Sequence, residues 1–501
     1  MTLIGLDLNA TRVRAIQGEN RGSGPQIPLG LPLDGNEREL PLALSLEERQ
    51  PRVGRAGAAL CRRSPHLACL DFLPFLGDDR IWNVGRHRLD AAGAFALVCE
   101  HLQRRLGLAE GFTAALPAYF TAGQAALLAN VAGRARWRLL GSVPSPLAVA
   151  LAAHEHLPWS GLAVVVEVDG HALTLSAVAV RDDVLRVSYS QAMPQLARGV
   201  WLCRLLDGAA LRCVRLSRRD PRESAETEQT LFDHLASMLD TRGGEEPVEM
   251  VIQTPHWYQH LKFAPEELSA LCSPLVKRTL AEIRHFLAEI AALGSVGAVL
   301  LTGTAARLPG LTEAIAELVR PDDVEPPDGE ENADFGEDLI EEPALSARVH
   351  VLDDDAVARA AFDVAVRRQR GELPSGHLDS VPLPGSAVAA AVDRGPARLH
   401  FRGEDHVLSA PLFSLGRDLS CHLVFETELY PTVSTRHCEI VLTRGVYLLR
   451  DRSRYGTHVN DCVVTQPTAL HSGDWIRLGP DGPLLRFLGE AGGQRQLMTT
   501  A

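Results

Sequence analysis

Two hydrophobic periods take turns along the chain, and the stretch over which each one holds predicts the elements. Near the start, Leu3-Ile4-Gly5-Leu6-Asp7-Leu8 is a short apolar run stopped by Asn9-Ala10-Thr11 and followed by Val13-Arg14-Ala15-Ile16, the pattern of a β-hairpin. A second, similar meander follows over residues 163–168, 172–180 and 184–188. Between and after the meanders the spacing becomes helical, over residues 91–106, 122–135, 223–239 and 265–293. Hairpins alternating with helices, twice over, predict an α/β region of two similar halves. Towards the C-terminus the period returns to two, over residues 408–413, 438–442, 446–449, 475–478 and 484–488, with Gly, Asp and Ser between the runs. Alternation at that length predicts an all-β sandwich whose loops share one end.

The length fits this division: 501 residues exceed one ordinary core, so two or three domains are expected. The formal net charge of −13 changes the picture only once it is located, because residues 321–342 hold eleven acidic residues and no basic one. A tract this acidic, with three prolines, repels itself and has too little apolar surface to order, so 321–347 is expected to be a disordered insertion. With that tract set aside the folded parts are close to neutral, which argues against nucleic-acid binding. No apolar window reaches the length of a membrane span, and no charged-then-apolar leader precedes Met1-Thr2-Leu3-Ile4. The expectation is a cytoplasmic protein without a membrane partner. The nine cysteines are scattered singly with no Cys-x-x-Cys pair, and read as reduced and mostly buried, forming neither a disulfide framework nor a zinc site. His154, His156, His256 and His260 lack the helical ligand spacing and carboxylate base of metal enzymes, so no metal site is expected.

Candidate chemistry lies in three loops of the predicted sandwich. They read Ser414-Leu415-Gly416-Arg417, Val433-Ser434-Thr435-Arg436-His437, and Ser453-Arg454-Tyr455-Gly456-Thr457-His458-Val459-Asn460. An Arg, a Ser and a second Arg converging on one end of a sandwich can hold a phosphate, because guanidinium groups and hydroxyls supply charge-assisted donors. The order Gly-Arg, Ser-x-x-His, Gly-Thr-x-x-Asn resembles the forkhead-associated (FHA) domain, which binds phosphothreonine peptides, over roughly residues 396–490. The resemblance implies that Arg417 and Ser434 contact the phosphate and that Thr435 occupies the second pocket position, with Arg436 beside it. Gly416, His437, Gly456 and Asn460 match the family's structural positions. Tyr455 departs from it, standing where many members place an Asn that holds the peptide backbone. A threonine-phosphorylated partner, and a Ser/Thr kinase that makes it, are implied in turn.

In the N-terminal region, four segments carry a second resemblance: Ala115-Leu116-Pro117-Ala118-Tyr119-Phe120, Pro144-Ser145-Pro146-Leu147-Ala148, residues 275–280, and Gly303-Thr304-Ala305-Ala306-Arg307-Leu308-Pro309-Gly310. Their order resembles the nucleotide-binding domain of the seventy-kilodalton heat-shock chaperones, a member of the actin-like ATPase fold, ending with a helix over 353–370. Such an ATPase needs small residues so that backbone N–H groups approach phosphates, a carboxylate for magnesium and a cation for the γ-phosphate. The first loop, Asp7-Leu8-Asn9-Ala10-Thr11, keeps Asp7 and Thr11 and loses the family's glycine. The second, Glu167-Val168-Asp169-Gly170-His171-Ala172-Leu173-Thr174, keeps one glycine, and its last carboxylate has become a hydroxyl. The family's catalytic lysine falls on Leu73 and its relay glutamate on Ser145. No catalytic residue is therefore assigned, and hydrolysis is expected to be absent or very slow. Asp7, Asn9, Thr11, Gly170, Gly303 and Arg307 remain to hold ATP with magnesium; the alternative is a collapsed cleft kept as a scaffold.

The chain thus divides into an α/β ATPase-like domain at 1–371, a linker at 372–395 whose Pro, Gly and Ser content predicts flexibility, the sandwich at 396–490 and a tail at 491–501. The linker resembles that of the chaperones, but the sandwich follows it in place of their peptide-gripping domain. The expected function is phosphothreonine-dependent interaction or scaffolding, with an inactive nucleotide-binding domain and no required cofactor. The alternative is a chaperone or slow ATPase, using ATP and magnesium, targeted to phosphorylated clients.

Overall fold

A computed structural model describes residues 2–19, 28–107, 109–241, 247–254, 257–320, 347–384, 397–402, 404–408, 412–418, 420–427, 429–443, 446–460, 462–470 and 474–488. The acidic insertion apart from Ala347, residues 385–395 of the linker and the tail lie outside these residues.

The N-terminal hairpin forms where the alternation places it. Thr2–Leu8 pairs antiparallel with Arg12–Glu19, and its buried apolar residues then accept Gly111–Leu116 as a parallel neighbour, followed by Leu139–Pro144. The second sheet repeats the plan: Gly161–Val168, Leu173–Arg181 and Val184–Met193 form an antiparallel meander, and Val296–Leu301 and Arg348–Val351 add in parallel beside its first strand. In each sheet the first strand is central, with the rest of the meander on one side and two parallel strands next to it on the other, to which the first sheet adds Gly376–His377 at its edge. The region is mixed α/β and built of two halves with one strand order.

Two helices, Ser145–His154 and Ala356–Gln369, share one apolar cluster with strands of both sheets, among them Ala115 and Val143 of the first and Val165 and Leu300 of the second. Their alanines permit close approach. A Cβ on Gly5 would come within 2.2 Å of the Ala358 carbonyl oxygen, so only a glycine lets this helix lie on the first strand. The opposite face of the first sheet packs against Ala91–Leu106 and Ala122–Arg134, and that of the second against Arg198–Ser217, Ala225–Thr241 and Pro265–Ile290. Arg198–Ser217 is a helix absent from the pattern reading. It buries Trp201, Leu205, Ala209 and Cys213 at helical spacing, but it begins at Ala197 without a side-chain cap, so no start signal announces it.

The linker departs from expectation. Gly376–His377 pairs parallel with Leu139–Pro144 at the edge of the first sheet, and Ser380–Pro382 pairs antiparallel with Val184–Met193 at the edge of the second. Arg368, buried in the helix Ala356–Gln369, supplies the reason: it donates to the carbonyls of Pro374 (3.0 Å), Gly376 (2.6 Å) and Ser142 (3.1 Å). Flexibility is inferred from Pro and Gly only when the backbone lacks partners, and here a buried guanidinium and two open sheet edges provide them.

The C-terminal domain is a sandwich of short strands. One sheet runs Glu404–Val407, Arg398–Phe401, Leu484–Leu488, Trp475–Leu478, Thr457–Val459, Cys462–Val463; the other runs Leu423–Val424, Leu412–Gly416, Cys438–Thr443, Val446–Asp451, Thr468–Ala469. All pairings are antiparallel except the two-residue contact between Leu412–Gly416 and Leu423–Val424. Inward residues of both sheets, including Leu399, Leu415, Ile440, Leu449, Ile476 and Phe487, close one core. All nine cysteines are free thiols and six are buried. No helix among the described residues is long and apolar enough to cross a membrane.

Candidate functional site

The loop end of the sandwich is organised by one close backbone approach. Gly416 closes its strand so near the next loop that a Cβ there would stand 2.2 Å from the Thr435 carbonyl oxygen. That approach lets the Arg417 amide donate to the Ser434 carbonyl (3.1 Å) and the Asp418 amide to the Thr435 carbonyl (2.9 Å), which fixes Arg417 beside Ser434. His437, fully buried, accepts at Nδ1 from the Ser434 amide (3.0 Å) and faces the Gly456 carbonyl with Nε2 (3.3 Å). The two bonds require the Nε2-protonated neutral ring, and burial pushes the His437 pKa down, which keeps it neutral. His437 thereby ties the serine loop to the Gly456 turn, where φ is +81°. Asn460, itself at φ +50°, secures the far side by donating to Asp474 (2.8 Å) and accepting from the Trp475 amide (2.9 Å).

Two donors then stand side by side at this end of the sandwich. The Ser434 hydroxyl oxygen accepts from the Arg454 amide (3.1 Å), which leaves its hydrogen to donate outward. Arg417 is half-buried; among the described residues its Nη1 reaches only Thr427 Oγ1 at 3.4 Å, and its Nε is shut from solvent without a hydrogen-bond partner. A guanidinium beside a serine hydroxyl can supply charge-assisted donors to an anion. Residues 413–479 match the family model of the FHA domain. FHA domains bind phosphothreonine-containing proteins, so the match supports phosphothreonine-dependent interaction by this part of the chain. The chain matches no curated protein.

Within the FHA domain, Thr435 and Arg436 are exposed on the serine loop, and Arg436 reaches no further than Ser420 Oγ at 3.5 Å. Tyr455 is half exposed, and the Arg454 guanidinium lies 6.0 Å from its ring centroid. Arg454 is the residue that reading the motifs overlooks. Its signal was its place between Ser453 and Tyr455, one step from the position that departs from the family pattern.

In the N-terminal region the residues singled out for a nucleotide do converge, but on one another. The Gly170 amide donates to Thr11 Oγ1 (2.6 Å), and Asp169 accepts from the Ala10 amide (3.0 Å) and the Tyr119 hydroxyl (2.5 Å), so the two loops are latched together. Asn9 spends its carbonyl oxygen on the amides of Thr11 and Arg12 (3.0 Å each). Asp7 is buried, and burial raises its pKa, opposed by Arg12 and Arg14. Those arginines occupy the cleft: Arg12 donates to Thr304 (2.7 Å) and faces Glu39 (3.4 Å), while Arg14 pairs with Glu39 and Asp354. Arg307 forms a two-pronged pair with Asp354 (2.8 and 3.0 Å), which Gly303 admits because a Cβ there would meet Asp354 Oδ1 at 2.4 Å. The cavity left between Asp7, Arg12, Glu167, Asp169 and Gly303 measures about 40 Å³, room for a few waters, where small-molecule sites run to about 300–1,000 Å³.

Leu73 is buried in the apolar cluster of the first half, and Ser145 donates to Glu167. Burial pushes the Glu167 carboxyl up to about 8, against the Ser145 bond, so it is largely protonated at neutral pH. A larger cavity of about 530 Å³, within the range of small-molecule sites, is lined by Gly303, Arg307 and Asp354 together with Ser269, Pro309 and Asp353. Among the described residues no three His, Cys, Asp or Glu side chains gather closely enough to hold a metal ion.

Proposed function

We propose that this chain is a phosphothreonine-dependent interaction protein, whose FHA domain recruits a phosphorylated partner to an N-terminal scaffold of chaperone-type, actin-like ATPase ancestry that does not turn over ATP. The observation that carries the reading is the half-buried Arg417 guanidinium, held by the Gly416 approach next to Ser434 with a nitrogen still unpaired. Charge-assisted bonds to a phosphate contribute about 2 kcal/mol each, so Arg417→Ala or Ser434→Ala weakens binding of a phosphothreonine peptide roughly thirtyfold. The full-length variants stay folded, since Arg417→Ala gives up only a long contact to Thr427 and Ser434→Ala one hydrogen bond from the Arg454 amide, and a melting profile checks this. Peptide affinity measured by fluorescence anisotropy is the test, and capture that survives both substitutions sinks the assignment. A Ser/Thr kinase supplies the mark in this reading.

The ancestry is supported by the repeated strand order and by the helices between the sheets; the inactivity is supported by Leu73 at the lysine position and by arginines filling the cleft. The same repeated order favours a second reading, an ATP-binding chaperone or slow ATPase directed to phosphorylated clients. Calorimetric titration with ATP and magnesium, in parallel with Asp7→Ala, separates the two. Saturable heat that vanishes in the variant supports the second reading, and no heat supports the scaffold.

A further inference from the structure

The two halves of the N-terminal region have separate apolar cores and one shared cluster, to which Ser145–His154, Ala356–Gln369 and strands of both sheets contribute. Parts of each half that lie outside a shared joint can swing apart unless something ties them. The helix Ala225–Thr241 belongs to the core of the second half through Leu231, Leu235 and Met238. Residues 58–63 belong to the first half: Gly57 lets the short helix Arg55–Ala58 lie on the backbone of Leu44, whose side chain is in that core. None of these residues is in the shared cluster, yet the two segments are joined.

Gln229 joins them. It is buried, and its amide spends its whole capacity of two acceptances and two donations. Its Oε1 accepts from the backbone amides of Arg62 (2.7 Å) and Arg63 (3.1 Å), and its Nε2 donates to the Ala58 carbonyl (3.4 Å) and to Asp233 Oδ1 (2.8 Å). The first three bonds cross from one half to the other, and the bond to Asp233 orients the side chain from its own helix. Arg62 returns the contact: its guanidinium faces Glu228 at 3.7 Å, lies 4.9 Å from the Phe232 ring centroid and donates to Cys203 Sγ (3.1 Å) on the helix Arg198–Ser217. Among the described residues the Arg62 and Arg63 amides have no other acceptor, so this junction is satisfied only while the halves stay together.

We propose that Gln229 is a latch that holds the two halves of the N-terminal region against each other through side-chain contacts alone, with no nucleotide required between them. The latch works with the ties at Asp169, Thr11 and Thr304, which join the halves through other residues. The inference goes beyond the absence of turnover, since an inactive domain can still open and shut, and it is independent of the FHA assignment.

The test places a donor and an acceptor dye, through azide-bearing residues, at the exposed positions His66 and Glu223 of the full-length chain and follows energy transfer without nucleotide. The wild-type chain is expected to show one high-transfer population, unchanged by ATP with magnesium. Gln229→Ala lowers the transfer, and in single-amide hydrogen exchange its Arg62 and Arg63 amides exchange at least about tenfold faster, the scale of one buried hydrogen bond. Arg62→Ala loses the guanidinium contacts but keeps both amide bonds, so it gives a smaller drop in transfer. Faster exchange in Gln229→Ala without loss of transfer overturns the inference, because the bond is then local and ties nothing together. If Gln229→Ala does not fold, wild-type transfer in Arg62→Ala is the overturning result. Low transfer in the wild-type chain that ATP leaves unchanged overturns the latch and keeps the scaffold reading, whereas low transfer that rises with ATP and magnesium overturns both. High transfer in a chain that turns over ATP keeps the latch and sinks the scaffold reading.

Discussion

Gly416 and Ser434 show how much of the site hangs on single atoms. The strand can deliver Arg417 to the serine loop only because nothing larger than hydrogen sits on the Gly416 Cα, with the Thr435 carbonyl 2.2 Å from where a Cβ would be. Gly416→Ala is therefore expected to destabilise the FHA domain by about 1–3 kcal/mol, as overpacking against backbone does, and to weaken peptide binding because the Arg417–Ser434 register opens. Differential scanning calorimetry of the full chain reads the first effect and peptide titration the second. Glu167 makes a different kind of single-residue statement. Its carboxyl is near 4.5 when unfolded and is raised to about 8 by burial in the fold, so the folded state binds the extra proton between those values. Stability from this group is fully present below about pH 4.5 and is lost progressively as pH rises through 8. Glu167→Gln removes that loss: melting temperatures of variant and wild type converge near pH 4.5 and separate in favour of the variant towards pH 8. A gap that stays constant with pH would show that Glu167 is ionised in the fold.

Elements were legible in proportion to how far their partners lie inside the repeating pattern. Ala91–Leu106 follows from periodicity because one face meets an apolar neighbour, and the strand Thr2–Leu8 from its continuous apolar run, buried on both faces. The FHA loops were legible for another reason, since Gly416, His437 and Asn460 are each needed by a backbone conformation or a buried bond that few residues satisfy. The linker was misread because its partners are remote: Arg368 and the edge strands Leu139–Pro144 and Val184–Met193 are nowhere near it in a local window. The filling of the space beside Asp7 is hidden likewise, as Arg12 and Arg14 look like ordinary strand residues until Glu39, Thr304 and Asp354 are brought to them. The docked linker makes its own prediction. The amides of Leu378, donating to Ser142 (3.0 Å), and of Leu383, donating to Asp183 (2.7 Å), should exchange far more slowly than free chain in hydrogen-exchange experiments. His377 adds a pH dependence: burial, with Arg486 and Arg368 adding to it, lowers its pKa from 6.5 to about 3. Released linker binds a proton below about 6.5 that docked linker refuses, so docking weakens as pH falls from 7 towards 4. Protection corrected for intrinsic exchange should fall over that range, and a flat profile would mean that His377 is not held in the sheet.

At the scale of the whole molecule, the docked linker is also what the FHA domain stands on. Arg486, on the last strand of the sandwich and nearly buried, pairs with Asp379 and donates to the His377 carbonyl, with the Trp475 ring 5.5 Å from its guanidinium. His377 in turn bonds Ser142 through Nδ1 (2.8 Å), and Arg368 holds the Ser142 carbonyl from the central helix. A continuous set of polar contacts thus runs from the FHA domain through residues 376–379 to the core of the N-terminal region. A cavity of about 500 Å³ lies along the same seam, between Asn130 and Arg134 on one side and Asn460 and Trp475 on the other, so the seam is thinly packed and depends on its few polar ties. Arg486 is buried while Asp379 is largely exposed, so removing the arginine takes away both of its ties to the linker and leaves a gap at the seam in place of a stranded charge. Arg486→Ala should therefore loosen the FHA domain from the seam while residues 376–382 stay paired through Arg368. Small-angle scattering would register a larger radius of gyration, and Leu378 would keep its exchange protection. Affinity for an isolated phosphothreonine peptide should not change, because Arg417 and Ser434 make no contact with the seam. Scattering identical to wild type would mean that other contacts hold the domain, whereas a loss of peptide affinity would mean that docking on the scaffold shapes the pocket itself.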